Sequence, residues 1–453
     1  MIKQKIIFTF VLAIFFGFFN SASATQLPET IATTTASSTF AQVLGLQTPS
    51  VPPIISAVKD AKIKLAGVTL NHAMIPVYKN VKNKKTGKTE KIISNYKLGD
   101  KDIALAILDP NTNQTILTVG RQNGKKMIFP DPTVDIKLVT FNGVNSRFKV
   151  NSPSNGQIVA LKYLISPKES GSKSAIEQSL YEATYVPYSQ NFNDPAVLAY
   201  GSDYLNGVIN RVAENLKNIP SNSVPGKTIT EAITPALIKS LVYAEHTDTG
   251  KVLNSTDIKS TIDQLNIIFA LNEGDAYKYS VSSANARGIA QFIPSTYASL
   301  TKRHTDANLI PDFVAGMSDH ENSIKAMYLL LDDYAGTVRV KARIGFAEGR
   351  VFEYGAASYN GGTTRVAKAV NLYGDMWNED RSGQENATKL AIANLKAKIK
   401  KTADKKTKAS LQVQLAEENT KLANLQSGTL RNETVNYLKK IYKVIQYFNG
   451  QQA

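Results

Sequence analysis

The most informative stretch of the chain is SSANARGIAQFIPSTY, residues 282–297. Small residues and a single glycine, Gly288, lead into the start of an apolar helix, and Gln291 faces the same way. This pattern is typical of a tight loop that ends at a helix and holds polar side chains beside it. We therefore expect catalytic or ligand-binding side chains at the start of this helix.

The sequence on both sides of this stretch has helical periodicity. Apolar residues recur at three- and four-residue steps from Tyr204 to Leu216, before prolines and Gly226 break the run. Helices are predicted over residues 230–243 and 255–272, because one side of each segment is apolar. The chain is predicted to stay helical from there to its C-terminus.

Two later segments have a similar mixture of small and polar residues. AASYNGG, residues 356–362, precedes a helical run, and ETVNYLKKI, residues 433–441, lies near the C-terminus. A Tyr-Asn-Gly sequence is also an ordinary helix end and turn, so that segment alone indicates little. The three segments are informative because they occur together and in order.

In that order, the three segments resemble the catalytic domain of lytic transglycosylases of the soluble, goose-lysozyme-like class. The family pattern is a helix ending in Glu, then Ser-x-x-Gly-Ala-x-Gly-Leu-Met-Gln-x-x-Pro-x-Thr, Ala-x-Tyr-Asn-x-Gly and a late Glu-Thr-x-x-Tyr helix. The residues that match are Ser282, Ala286, Gly288, Gln291, Pro294, Thr296, Tyr359, Asn360 and Gly361. Asn285 and Ala290 stand where the family has Gly and Met. The resemblance covers residues of about 229–450 and implies an all-α lysozyme-like domain.

The resemblance implies an enzyme that cleaves the β-1,4 bond between N-acetylmuramic acid and N-acetylglucosamine. A glutamic acid kept protonated by an apolar, partly closed cleft gives its proton to the glycosidic oxygen. The same residue then acts as the base while the muramic acid's own 6-hydroxyl attacks, which leaves a 1,6-anhydro end. This differs from the usual two-carboxylate scheme. No metal and no organic cofactor are implied.

The resemblance also assigns residues to the substrate cleft. They are Ser282, Gly288, Gln291, Tyr359 and Asn360. The four histidines have no paired spacing of the His-Glu-x-x-His kind, so no metal site is expected.

Two glutamates compete for the role of the acid. Glu273 lies 15 positions before Gly288, which is the family's own spacing. Glu245 ends the segment PALIKSLVYAE, which is similar to the family's acid-bearing helix nearly position for position. Each has apolar residues one and two turns back on its own face, so periodicity does not separate them. Glu245 is favoured, because a family tolerates a loop insertion (residues 246–280) better than a rewritten helix.

A lysine-rich helical hairpin is predicted at residues 383–428, inserted before the closing helix. Residues 389–408 contain eight lysines and one aspartate, and leucines recur on both sides of a polar break. The Lys-rich arm is a candidate contact for an anionic wall polymer or membrane surface. A solvated hairpin without a partner is the alternative.

The first half of the chain has the pattern of strands. Short alternating runs at residues 62–65, 103–108, 115–119 and 134–139 are separated by turn residues such as Asp109-Pro110-Asn111. A small all-β domain is predicted over 54–170, either a folded spacer or a partner-binding module, and a helical connector over 171–228. The fold class is therefore α+β multidomain.

The N-terminus predicts export. Lys3 and Lys5 precede an apolar run that ends near Phe19, and Ala22-Ser23-Ala24 then offers a cleavage site. We expect a signal peptide at 1–24, a Ser/Thr-rich linker at 25–53, and a periplasmic, extracellular or wall location. The net charge of +16 favours an anionic partner, and export makes nucleic acid an unexpected one.

The sequence thus predicts an exported lytic transglycosylase acting on peptidoglycan glycan strands. A hydrolytic, lysozyme-like muramidase is one alternative, since the same glutamate can deliver water. A wall-binding scaffold without turnover is the other. The absence of cysteine excludes a catalytic thiol, a thiolate metal site and a disulfide framework.

Overall fold

A computed structural model describes residues 51–82, 84–166, 170–345, 350–428 and 430–450. The predicted signal peptide and most of the predicted linker lie outside these ranges. Within them, no helix has the length and apolar character needed to cross a bilayer. From Val51 onward the chain forms one compact unit.

The first element is a helix, α1 (Pro53–Ala66), where residues 62–65 were predicted to be a strand. That prediction was wrong, because alternation over four residues also fits part of a helical face. The buried residues Ile55, Val58, Ala61 and Leu65 are three or four positions apart. Pro53 suits the first turn, where its missing N–H costs nothing.

An antiparallel sheet follows, and it contains the predicted strands at 103–108 and 115–119. Its central strand, β2, pairs with β1, β3, β7 and β8, and β9 forms the edge beyond β7. A separate two-stranded sheet is formed by β5 and β6. The strands are β1 (His72–Lys82), β2 (Thr89–Asp109), β3 (Gln114–Asn123), β4 (Lys126–Ile128), β5 (Asp135–Thr140), β6 (Arg147–Ser152), β7 (Gln157–Ile165), β8 (Ser170–Gly171) and β9 (Tyr181–Tyr185).

The remainder of the described chain is helical. Its helices are α2 (Lys173–Glu177), α3 (Pro195–Leu216), α4 (Ile229–Ala232), α5 (Pro235–Glu245), α6 (Thr249–Asn254), α7 (Lys259–Asn272), α8 (Pro294–Arg303), α9 (Phe313–Ser318), α10 (His320–Ala342), α11 (Val351–Gly361), α12 (Thr363–Tyr373), α13 (Ser382–Lys401), α14 (Lys405–Gly428) and α15 (Asn432–Gly450). The long helix α10 packs against α3, α11 and α12.

Two sequence predictions differ from these bounds. The helix predicted over 230–243 is divided into α4 and α5, because a residue before proline avoids helical angles, and Pro235 begins the second helix. The connector predicted to be helical contains β9, which pairs with β7. The short run Tyr181–Tyr185 was too brief to show a strand period next to a helical stretch.

The sheet and the helices share a core. Ala104 and Val159 on one face of the sheet pack with α1, and the same apolar cluster includes Ile267, Ala270 and Leu271 of α7. The opposite face of the sheet has its own cluster, around Ile103, Leu105 and Tyr185. The sheet region is therefore packed on the helical region through α7.

The helices α13 and α14 lie where the lysine-rich hairpin was predicted, and they pack against each other. Few of their residues are buried, namely Thr388 and Ile392 in α13 and Leu425 and Gly428 in α14. The pair is thus mostly solvated. Its exposed lysines include Lys396, Lys398, Lys400 and Lys401.

Candidate active site

Glu245 is the last residue of α5, and its carboxyl group lies in a cleft between the helices and the sheet. The hydroxyl of Tyr437, on α15, donates a hydrogen bond to Glu245 Oε1. Burial raises the pKa of Glu245, and the Tyr437 hydrogen bond and the charge of Lys440 oppose that rise only in part. The carboxyl group is therefore poised to hold a proton to higher pH than an exposed glutamate.

The cleft has a volume of about 350 Å³ and two kinds of wall. The helical region contributes Glu245, His246, Thr247, Tyr277, Tyr279, Ser280 and Gln291. The sheet region contributes Val144 and Asn145, from the turn between β5 and β6, and Tyr185 from β9. The site is thus built by both regions of the chain.

His246 follows the acid candidate and forms part of the cleft wall. Its ring stacks on Tyr277, with ring centroids 3.7 Å apart. Burial lowers the pKa of His246 to about 4, so its imidazole is neutral near pH 7. Its Nε2 lies 2.9 Å from the carbonyl oxygen of Ile289, which only accepts, so Nε2 carries the proton.

The Tyr359-Asn360-Gly361 segment lies at the end of α11, beside the acid candidate. The hydroxyl of Tyr359 donates to the carbonyl oxygen of Ala290, and the Phe292 ring meets Tyr359 edge-on. Burial, followed by the charge of Glu245, raises the pKa of Tyr359 well above its usual range. Asn360 is exposed and accepts a hydrogen bond of 2.8 Å from Thr434 of α15. This pair ties the two late segments together.

The loop of residues 282–291 has an internal scaffold. Ser282 Oγ accepts hydrogen bonds from the backbone N–H groups of Ala284 and Ala286, at 3.2 and 3.0 Å. Gly288 has a φ of +67°, and a Cβ there would lie 2.0 Å from the carbonyl oxygen of Met317. Ser282 and Gly288 therefore shape the loop, while Gln291, with φ of +50°, reaches the cleft.

Glu273 lies away from this cleft. It follows the last residue of α7 and has a φ of +44°, and its carboxylate forms an ion pair of 3.0 Å with Lys59 of α1. The Tyr200 hydroxyl donates to the same oxygen at 2.5 Å. Glu273 also lines a separate cavity of about 250 Å³, with Lys59 and Lys62. Its contacts join the helical region to α1.

Of the seven residues predicted for the site, Glu245 and Gln291 line the cleft directly, and Tyr359 is close to Glu245. Ser282 and Gly288 lie in the loop that leads to Gln291, and Asn360 is next to Tyr359, but none of these three residues is part of the cleft wall. Sequence reasoning did not assign a role to Tyr437, although it belongs to the Glu-Thr-x-x-Tyr segment. Tyr185, Tyr279 and Asn145 had no motif that marked them. Among the described residues, no cluster of three or more His, Asp or Glu side chains forms a metal site.

Residues 264–381 match the family model of the transglycosylase SLT domain. The match confirms the resemblance and supports a lytic transglycosylase catalytic domain of the lysozyme-like class in this part of the chain. It implies peptidoglycan glycan strands as the substrate and a cleaving activity of the lytic transglycosylase type. No curated protein and no solved structure matches the chain. The matched range contains Glu273 and begins after Glu245, so it does not decide between them.

Proposed function

We propose that the protein is an exported peptidoglycan lytic transglycosylase in which Glu245 alone serves as acid and base. The proposal rests mainly on the environment of Glu245. Its carboxyl group lies in the cleft, and burial raises its pKa. The family spacing favours Glu273 instead. Its carboxylate oxygen is engaged by Lys59 and Tyr200, and it is not part of the cleft wall.

In the proposed reaction, protonated Glu245 gives its proton to the glycosidic oxygen as the C1–O bond of the muramic acid breaks. The bonding electron pair leaves with that oxygen. The Glu245 carboxylate then takes the proton of the 6-hydroxyl while O6 bonds to C1, which closes the 1,6-anhydro ring. The carboxyl group is thus restored, and no water is consumed. Tyr437 holds the carboxyl group in place, and Gln291 is available to orient a sugar substituent.

The test is incubation of the protein with purified wall sacs, followed by mass analysis of the soluble fragments. Fragments one water lighter than the hydrolysis products support the transglycosylase. Hydrolysed ends would instead support the muramidase. A protein that sediments with sacs and releases nothing would contradict both and leave the wall-binding scaffold.

Replacement of Tyr437 by Phe tests how the Tyr437 hydrogen bond affects the pKa of Glu245. The Tyr437 hydrogen bond stabilises the carboxylate, so its loss raises the pKa of Glu245 further. A general acid must be protonated, and its rate falls as pH rises through its pKa. We therefore expect the alkaline fall of the pH profile to move to higher pH, with less than about a tenfold loss of rate at low pH, as one hydrogen bond implies.

The matched control is Tyr442→Phe, a tyrosine on the same helix that faces Glu353 instead. It should leave the pH profile unchanged. If Tyr437→Phe still degrades sacs and the alkaline fall of its pH profile does not move, that fall cannot be assigned to the pKa of Glu245.

We also propose that the α13 arm holds the protein on an anionic surface, a wall polymer or lipid. Changing Lys398, Lys400 and Lys401 to Gln should weaken binding by roughly a hundredfold, at about 1 kcal/mol per lysine. The unaltered protein and this variant should bind equally at about 0.5 M salt, where the charges are screened. Sedimentation with sacs and with phosphatidylglycerol vesicles separates the two surfaces. Gln at the exposed Lys79, Lys82 and Lys91 is the control, and equal losses in both variants would contradict the proposal.

A further inference from the structure

The sheet region supplies part of the wall of the cleft. Asn145 and Val144 lie on one side, and Tyr185 of β9 lies beneath Tyr279, with ring centroids 6.0 Å apart and the rings nearly perpendicular. Tyr185 is only 2% exposed, so its ring is a fixed support. Val144, Asn145 and Tyr185 lie outside the part of the chain that matches the transglycosylase family, whereas Tyr279 lies within it.

A second aromatic side chain extends this wall to the surface. Tyr181, also on β9, stacks on Tyr279, with ring centroids 6.3 Å apart and an angle of 26° between the rings. Tyr181 is 39% exposed, whereas Tyr279 is partly buried and lines the cleft that holds Glu245. The rings of Tyr279 and Tyr181 therefore run from the cleft to the edge of the sheet. We call these two rings the tyrosine platform.

We propose that the tyrosine platform binds a sugar ring of the glycan strand next to the segment held in the cleft. This inference rests on the proposed function, since it takes β-1,4-linked glycan as the ligand. An aromatic ring offers an apolar face to the C–H face of a sugar, while the sugar hydroxyls and the tyrosine hydroxyl stay in water. Ligand sites in proteins commonly combine such aromatic surfaces with a few polar groups.

The burial of the three tyrosines favours a ligand over a purely structural role. Tyr185 contributes to the core, because its ring is enclosed. Tyr181 lies on the edge strand of the sheet and outside that cluster of buried residues, and over a third of it is in water. A sugar ring over Tyr181 would remove apolar surface from water. The loss of side-chain conformational entropy on binding would be small, because the two tyrosine rings already stack on each other.

The test measures binding of the N-acetylglucosamine hexamer, a neutral β-1,4-linked probe, by calorimetry. The protein is the full chain with Glu245→Gln, so that no turnover interferes. Adding Tyr181→Ala should weaken hexamer binding about five- to tenfold, typical of losing one aromatic contact, and Tyr181→Phe should retain it. Tyr78→Ala is the control, because Tyr78 is 48% exposed on β1 and belongs to neither the platform nor the cleft wall. If Tyr181→Ala unfolds, Tyr181→Thr replaces it, since a β-branched residue suits a strand.

An affinity that is unchanged in Tyr181→Ala or Tyr181→Thr would overturn the platform. Turnover of sacs by the unaltered protein is measured separately. Turnover with an unchanged affinity rejects the platform and leaves the proposed function intact. Binding that depends on Tyr181, without any release of fragments, rejects the proposed function and keeps the platform as a glycan-binding surface.

Discussion

The Glu245→Gln variant should release anhydro fragments from wall sacs about 10²- to 10⁴-fold more slowly than the unaltered protein, the contribution of a general acid. Gln keeps the shape and the Tyr437 contact of the glutamate but has no proton to give at neutral pH. The measurement is the initial rate of fragment release, with the products identified by mass. The loss should appear in the maximal rate, because glycan binding does not need the acidic proton.

The fold should survive this change. A carboxyl group whose pKa is raised by folding binds protons more tightly in the folded state, so stability falls as pH rises from its unfolded to its folded pKa. Gln removes that penalty at neutral pH. We therefore expect an equal or higher unfolding temperature, which separates lost catalysis from lost structure.

Glu273→Gln is the matched control. It removes one partner of an ion pair that is about a third exposed, with 34% of the Glu273 side chain in water, and such pairs contribute about 1 kcal/mol or less. Activity should stay within a few-fold of the unaltered protein. Loss in Glu273→Gln alone would contradict the assignment, make Glu273 the acid and restore the family's plain spacing.

Gly201→Ala should destabilise the protein by about 3 kcal/mol, the upper end of the range for an overpacked core. Gly201 lies on α3 where it crosses α7, and an added Cβ would lie 1.9 Å from the carbonyl oxygen of Asn266. Since that neighbour is backbone, it has no rotamer to change, and the two helices must move apart. The measurement is the free energy of unfolding in denaturant.

Gly207→Ala on the same helix should have the opposite sign. Its added Cβ would meet only the flexible end of Arg211, at 3.4 Å. Alanine is favoured over glycine inside a helix by up to about 1 kcal/mol, so a small gain is expected. Similar losses of unfolding free energy in the two variants would contradict this explanation. They would show that α3 tolerates no side chain at either position, whether or not α7 is close.

The sequence identified both candidates for the acid and favoured Glu245, but it did not predict the contacts that distinguish them. Glu245 and Glu273 have the same local pattern, an apolar face one and two turns back. They differ in partners that are distant in sequence, since Glu245 meets Tyr437 and Glu273 meets Lys59. Local periodicity holds no information about such contacts. The Glu-Thr-x-x-Tyr segment was the one available signal for Tyr437.

The fold was predictable where the strands were long and their turns well marked, as around Asp109 between β2 and β3. The prediction failed at residues 62–65, where four alternating residues belong to helix α1, and at β9, a five-residue strand. It also treated the sheet region as a separate domain from the cleft. Nothing local to Asn145 or Tyr185 indicates that the fold brings them to Glu245.

Helix α7 has a consequence for how the protein can be divided. Its residues Ile267, Ala270 and Leu271 are at most 2% exposed, and they share a core with the sheet and α1. A chain cut at the predicted boundary near residue 229 would leave this apolar face in water, at about 25 cal/mol for each Å² exposed. We therefore expect the helical region, produced without the sheet, to expose this apolar face and to lack the sheet residues of its cleft wall.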